Sequence, residues 1–171
     1  MTHDRTEQRV YRSPRSRGEL HSFVAHFGAR CARATTRCRL EDVVLRAVAA
    51  SRRDPSLARM LPVFLWRVRK DLDLGDLASE AVRLGHAQVL GYFLDVAGKI
   101  SSTRTFQPVV RTLHRQARAD RPVFLFPETA KHPFEALAAR RDTPAHARRW
   151  GLLTRTPLAG YRSYFARVAS L

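Results

Sequence analysis

Three dipeptides in which a helix-capping residue precedes proline recur along the chain: Asp54-Pro55, Thr143-Pro144 and Thr156-Pro157. Asp and Thr side chains accept hydrogen bonds from the free amides at a helix start, and proline suits the first helical position. From Glu19 onward, apolar residues recur at intervals of three and four nearly everywhere, which is the period of an amphipathic helix. The sequence therefore predicts an all-α fold of about eight or nine short helices.

The chain is long enough for one domain with a short tail. It has 171 residues, of which 44% are hydrophobic, and this is enough for a real core. Residues 1–17 hold five arginines and few apolar groups, which predicts a disordered basic arm. Residues 18–171 are predicted to form a single all-helical domain. Its expected core includes Leu61, Phe64, Leu65, Leu90, Phe93, Leu94 and Trp150.

The best-defined element is an αα-hairpin over about residues 77–98. Its first apolar stripe precedes Gly85 and its second precedes Gly98, so each glycine is expected to end its helix in a left-handed conformation. Gly91 lies inside the second stripe, where glycine costs helix stability. We therefore expect Gly91 to allow the close approach of another helix.

Proline shapes three further expectations. Pro62 removes an amide donor inside a long apolar stripe, which predicts a kink or two short helices. The apolar run between Pro122 and Pro127 has the length of a strand. With no second strand to pair with, a buried extended segment is the preferred interpretation. A helix opening at Pro133 is expected to turn Phe134, Leu137 and Ala138 inward.

Positive charge is concentrated at the two ends of the chain. The net charge is +6 over residues 1–39, +1 over residues 40–100 and +9 over residues 101–171, and 28 of the 31 basic residues are arginine. A GC-rich genome raises arginine content everywhere, but it does not explain this segregation. Such a field attracts polyanions, of which nucleic acid is the commonest. An anionic protein partner and codon bias alone remain the alternatives.

The candidate nucleic-acid-binding residues lie in two segments. A predicted helix after residue 106 has an arginine-rich outer face, and residues 144–168 approach the spacing of a DNA-binding helix-turn-helix with a turn one residue too long. The alternative for the second segment is an ordinary helical hairpin with solvated arginines. The candidates are Arg104, Arg111, Arg115, Arg118, Arg148, Arg149, Arg155, Arg162, Tyr164 and Arg167.

No motif in the sequence defines a reaction. A glycine-rich phosphate loop, a nucleophile elbow and closely spaced pairs of zinc ligands are all missing. His114 could act as a base toward RNA, although a surface histidine is the simpler interpretation. We therefore expect no catalytic residue, no bound metal and no cofactor. Two cysteines, no signal peptide and no apolar run of about 20 residues predict a cytoplasmic protein without a membrane partner.

Three stretches carry a resemblance: DPSLARMLPVFLWR at 54–67, LGYFLDVAG at 90–98 and ALAARRDTPAHARRWG at 136–151. They resemble short helical proteins of GC-rich bacteria, some of which are encoded beside nucleotidyltransferase-like proteins in what look like toxin–antitoxin pairs. The likeness covers residues 40–165 and assigns no functional residue, because it carries no catalytic motif.

The charge segregation and the resemblance together lead us to expect a non-enzymatic, bacterial antitoxin or regulator. Its basic flanks would bind DNA or RNA, and its near-neutral residues 40–100 would hold a protein partner. The alternative is a helical protein–protein adaptor or assembly subunit whose arginine-rich surface meets an acidic protein partner. A titration of binding against salt separates the two, because phosphate binding weakens steeply as salt rises.

Overall fold

A computed structural model describes residues 11–12, 16–26, 37–117 and 121–169. The basic arm predicted at residues 1–17 lies almost wholly outside these ranges. Within them the chain is mostly helical, which confirms the all-α prediction. None of the helices described combines the length and the apolar content needed to cross a membrane. The helices are α1 (Arg17–His26), α2 (Leu40–Ser51), α3 (Pro55–Val68), α4 (Leu74–Arg83), α5 (Ala87–Ser101), α6 (Gln107–Gln116), α7 (Pro133–Asp142), α8 (Ala145–Arg148) and α9 (Leu158–Ala169).

The other elements are short. A 3-10 helix covers Pro127–Lys131, and four strands of two residues each form two separate pairs. Strand β1 (Tyr11–Arg12) pairs antiparallel with β2 (Arg37–Cys38), and β3 (Val123–Phe124) pairs parallel with β4 (Leu152–Leu153). These pairs tie chain segments together without forming a layer of their own.

Helices α3 and α5 form the centre of the molecule. Helix α3 contacts α1, α2, α5 and α9, and α5 contacts α3, α6 and α9. Both helices are apolar on almost every side, and such a helix is stable only when it is surrounded. The seven residues expected in the core are all buried, so this prediction is confirmed.

The helix starts differ in how they are capped. Asp54 Oδ1 accepts hydrogen bonds from the amides of Ser56 and Leu57, at 3.0 and 3.2 Å, so this cap is confirmed. The cap expected at Thr143 is wrong, because its hydroxyl donates to the carbonyl of Ala139 and accepts from the amide of Thr154. Thr143 therefore closes the end of α7 instead of opening α8.

Two expectations about helix continuity are corrected. Helix α3 runs unbroken through Pro62, so the alternative of two short helices is wrong. The amide lost at Pro62 costs one hydrogen bond, whereas the buried side chains on both sides of it favour a single helix. Gly85 follows the end of α4 at φ +72°, as expected, but α5 continues past Gly98 to Ser101, and Ser102 caps it at φ +56°.

Gly91 is in contact with a side chain and not with a helix. A Cβ atom at this position would lie 2.2 Å from Cη2 and Cζ3 of Trp150, which is closer than atoms can approach. The expected close approach is therefore confirmed, but the group that approaches is the indole of Trp150, in the turn after α8. Glycine is required here because any side chain would occupy the volume of the ring.

The segment from residue 122 to residue 127 does have a strand partner. Val123 pairs with Leu152 and Phe124 with Leu153, and the amide of Leu125 donates to the carbonyl of Leu153 at 3.0 Å. The sequence did not show this partner because two residues are too few to carry a strand period. Leu125 is the one buried residue of the segment, and Val123 is 37% exposed, so the expectation of a buried segment is wrong for most of its length.

Helix α7 turns its large apolar side chains outward. Phe134 is 89% exposed and Leu137 is 65% exposed, so the expectation that they face inward is wrong. Ala138 is half-buried, and Ala139 is the one buried residue of the helix. The helix contacts chiefly the 3-10 helix beside it. The side of α7 that packs against the rest of the molecule is therefore formed by its small residues.

Replacing Gly91 with alanine tests the contact with Trp150. The new methyl group must displace the indole or the helix, and overpacking of this kind costs about 1–3 kcal/mol. Urea denaturation of Gly91→Ala should therefore show a lower free energy of unfolding. Gly160→Ala in α9 is the matched control, because a Cβ there meets nothing within 4 Å; it should raise stability by up to about 1 kcal/mol. Equal effects at the two positions would contradict the assignment.

Candidate nucleic-acid interface

The structure brings together only some of the predicted binding residues. Arg118 lies outside the described residues, and Tyr164 is half-buried. The remaining candidates are exposed: Arg104, Arg111, Arg115, Arg148, Arg149, Arg155, Arg162 and Arg167. Three of these, Arg111, Arg115 and Arg149, line the same surface depression.

Helix α6 supplies two of these three arginines. Its inner face buries Val109, Val110 and Leu113. Arg111 and Arg115 are four residues apart, so they project one above the other from the outer face. The helical period thus separates apolar and cationic residues into opposite faces, and the burial of one face fixes the exposure of the other.

The depression, which we call the basic groove, lies between α6 and the turn after α8. Its volume is about 620 Å³, and its lining residues are Pro108, Arg111, Thr112, His114, Arg115 and Arg149. The Nε2–H of His114 donates to the carbonyl oxygen of Arg149 over 3.1 Å. The His114 ring also meets the Trp150 indole edge to face, at 5.2 Å between centroids. These contacts hold Arg149 beside α6.

The arginines of the basic groove are available to an anion. Five other cations are paired with carboxylates: Arg39 with Asp76 and Glu41, Arg83 with Glu80, Lys99 with Asp95, Lys131 with Glu128 and Arg141 with Asp142. Within the described ranges Arg111, Arg115 and Arg149 form no ion pair, and no carboxylate lines the groove. Repulsion among the three guanidinium groups is relieved when an anion binds.

A second depression, which we call the α5–α6 cleft, adjoins the basic groove. Its volume is about 350 Å³, and Arg111 and Arg149 line both depressions. Buried apolar residues form its floor and cations form its rim, together with one carboxylate, Asp95. The floor consists of Leu94, Phe106 and Val110, and the cationic rim of Lys99, Arg111 and Arg149.

Asp95 is fixed in position by two donors on the same oxygen. Its Oδ2 accepts from Lys99 Nζ at 2.9 Å and from Trp150 Nε1 at 3.2 Å. The side chain is only 11% exposed. Its other oxygen, Oδ1, has no hydrogen-bond partner among the residues described. The carboxylate is thus held rigidly with one oxygen free to accept a further hydrogen bond.

Helix α5 also contributes Tyr92 to a cluster of polar side chains with Tyr161 and His146. The hydroxyls of Tyr92 and Tyr161 share a hydrogen bond of 3.3 Å, and burial raises the pKa of both. His146 stacks on Tyr92 at 5.9 Å between ring centroids. Its Nε2 is buried without a hydrogen-bond partner among the described residues. Burial lowers the pKa of His146, and nearby Lys99 lowers it further while Asp95 opposes the shift.

The sequence analysis missed two charged residues of the cleft, Asp95 and Lys99, and the contact made by His114. Asp95 did leave a signal, because it is the only charged residue between Val89 and Gly98. A charge in an otherwise apolar helix is rarely buried without a partner. The pairing of His114 with Arg149 left no such signal, because it joins residues 35 positions apart.

The C-terminal segment is neither a helix-turn-helix nor a simple helical hairpin. Helix α8 has four residues, and the connection to α9 at residues 149–157 contains β4. No helical turn joins α8 to α9, because Gly151 has φ +63° and the next two residues, Leu152 and Leu153, pair with β3. On α9, the Arg167 guanidinium lies 5.5 Å from the centroid of the Tyr164 ring, which itself packs against the core. Tyr164 is therefore partly occupied by packing, whereas Arg162 and Arg167 are exposed on α9.

Comparison with known proteins adds no assignment: no protein-family model, no curated protein and no solved structure matches the chain. Over the described ranges, no three His, Cys, Asp or Glu side chains are grouped so as to hold a metal ion. The resemblance to antitoxin-like helical proteins remains a prediction. The fold and the site define an all-α domain with a basic groove and an adjoining mixed-charge cleft.

The neutral state of His146 predicts a pH dependence of stability. Its pKa in the folded protein lies below the usual value, so between those two values the unfolded chain binds the proton and the folded chain does not. The free energy of unfolding should therefore fall as pH drops below about 6.5. Urea denaturation near neutral pH and at about pH 5.5 should show a smaller loss for His146→Phe than for the wild type. An equal loss in both would contradict the assignment.

Proposed function

We propose that the protein is a non-enzymatic nucleic-acid-binding protein that holds phosphate groups in the basic groove. The observation that carries the proposal is the meeting of Arg111, Arg115 and Arg149 in one depression lined by no carboxylate. The first two come from α6 and the third from the turn after α8. The fold therefore gathers cations that are distant in sequence, as a surface for a polyanion requires.

Contacts in the basic groove are made to the backbone of the nucleic acid. The planar guanidinium group binds phosphate oxygens through two parallel N–H donors. Phosphates carry no sequence information, so binding through this groove has weak sequence preference and steep salt dependence. DNA and RNA share these phosphates, and both fit the groove on these grounds.

The proposal includes a cytoplasmic, antitoxin-like or regulatory role with a protein partner held by residues 40–100. About half of this range is buried, which reduces the surface available to the partner. Val82 and Leu84 remain 38% and 45% exposed at the end of α4. Together they support this end of α4 as the place where the partner binds.

Removing two arginines of the basic groove tests the proposal. Arg111→Ala combined with Arg149→Ala should weaken binding to all nucleic acids by a similar factor, because phosphate contacts do not discriminate between sequences. The slope of log affinity against log salt should shrink by about two units. Fluorescence anisotropy over a salt series measures both quantities.

The matched control is Arg155→Ala combined with Arg162→Ala, which removes the same charge from exposed positions outside both depressions. Its salt slope should change by less than about one unit. The proposal is wrong if neither DNA nor RNA is retained at low salt. Equal losses in both double variants would place the contacts over the whole basic surface and not in the groove.

The second candidate function is a helical adaptor or assembly subunit that meets an acidic protein. The outward position of Phe134 and Leu137 favours it, because large apolar side chains exposed side by side commonly mark protein contact sites. Replacing both with serine should abolish the capture of such a partner and leave salt-dependent nucleic-acid binding unchanged. Weakened nucleic-acid binding in this variant would contradict the separation of the two surfaces.

A further inference from the structure

We infer that the α5–α6 cleft receives one unpaired nucleotide of a bound strand, with guanine preferred. The inference rests on the proposed function, because the basic groove must first hold the strand. It goes further in assigning a second site, a preferred base and a preference for single strands.

The cleft is placed and sized for one nucleotide. Arg111 and Arg149 line both depressions, so a strand whose phosphates lie in the basic groove passes directly beside the cleft. Its volume of about 350 Å³ is at the lower end of the range for small-ligand sites. The cations of the rim suit the phosphate of the nucleotide, and the apolar side chains beneath them leave Asp95 as the acceptor for its base.

Asp95 provides the polar contact that an unpaired base can use. Lys99 and Trp150 both bind its Oδ2, which leaves Oδ1 as an acceptor at the edge of the cleft. In a duplex, the N1–H and one N2–H of guanine are bonded to the paired cytosine, so the two donors together do not reach a protein carboxylate. An unpaired base presents the same donors freely, and proteins read single strands in this way.

The chemistry of the Watson–Crick edge selects guanine. Guanine carries two adjacent donors, N1–H and N2–H, which can both point at the single free oxygen Oδ1, whereas adenine and cytosine place an acceptor beside their amino group. Thymine and uracil flank their single N–H with two carbonyl oxygens, which a carboxylate repels. The ion pair with Lys99 offsets the charge of Asp95, so the cleft keeps the net positive charge that a phosphate needs.

The test compares three labelled probes by fluorescence anisotropy: a short oligothymidylate with one central guanine, the same strand with thymine throughout, and the guanine strand annealed to its complement. The guanine strand should bind about tenfold more tightly than the thymine strand, as expected for a hydrogen bond to a charged group. The duplex should lose this advantage. Equal binding of all three probes overturns the inference.

Asp95→Asn and Asp142→Asn form a matched pair of variants. Each removes one negative charge, but Asp142 is exposed on α7 and pairs with Arg141 outside the cleft. The preference for guanine should disappear in Asp95→Asn and persist in Asp142→Asn; the reverse pattern, or its persistence in both, overturns the inference. If Asp95→Asn does not fold, the wild-type protein still tests the contact. A probe with hypoxanthine in place of the central guanine lacks the N2 amino group, so it should bind the wild type less tightly than the guanine probe.

Two outcomes separate this inference from the proposed function. Salt-dependent binding without preference for guanine or for single strands contradicts the inference and leaves the basic groove as the binding surface. Absence of salt-dependent binding to any probe contradicts the proposed function itself. Free guanosine monophosphate should bind far more weakly than the strand, because it makes no contacts along the groove. Equal affinity for the two would make the cleft a site for free nucleotides and overturn the assignment to a strand.

Discussion

The contact of the Trp150 indole with the bare backbone at Gly91 fixes the turn after α8 against α5. The indole of Trp150 donates its Nε1–H to Asp95. The backbone carbonyl oxygen of Trp150 accepts from Gln88 Nε2 at 2.6 Å. Its ring also meets His114 on α6. One residue of the turn after α8 is thus bound to α5 and α6 together. A large aromatic ring with a single polar atom suits such a junction, because it gains burial and still satisfies its donor.

Features of this fold that depend on neighbouring residues could be predicted from the sequence, whereas contacts between residues far apart in the chain could not. The helical period and the cap at Asp54 are local, so the helices and the core of α3 and α5 could be predicted. The partners of Gly91 and of Val123 lie in the turn and strand near residue 151, and no local pattern encodes such pairings. The face on which α7 docks was predicted wrongly for the same reason. Small residues are buried where space is narrow, and apolar size alone does not show where that occurs.

The candidate site, too, could be predicted only where it depends on local sequence. Charge segregation identified the basic ends of the chain, yet a sum of charges does not say which arginines meet. Arg149 joins Arg111 and Arg115 only because His114 and Trp150 hold the turn beside α6. Asp95 could have been suspected from its isolation in an apolar helix. Its role as a rigid acceptor at the edge of a cleft required the positions of Lys99 and Trp150.

The short β3–β4 pair and the side chain of Thr143 have a consequence for how this chain can change length. The amide of Leu125 is bound to the carbonyl of Leu153, and the amide of Thr154 is bound to Thr143 Oγ1. Both ends of residues 126–142 are therefore anchored to two consecutive residues. Closing a longer loop between anchored ends costs little extra entropy, and α7 buries only Ala139. Insertions, deletions or a grafted peptide within residues 126–142 should therefore disturb the core little. Related chains can diverge in this segment, and a reporter sequence can be inserted there.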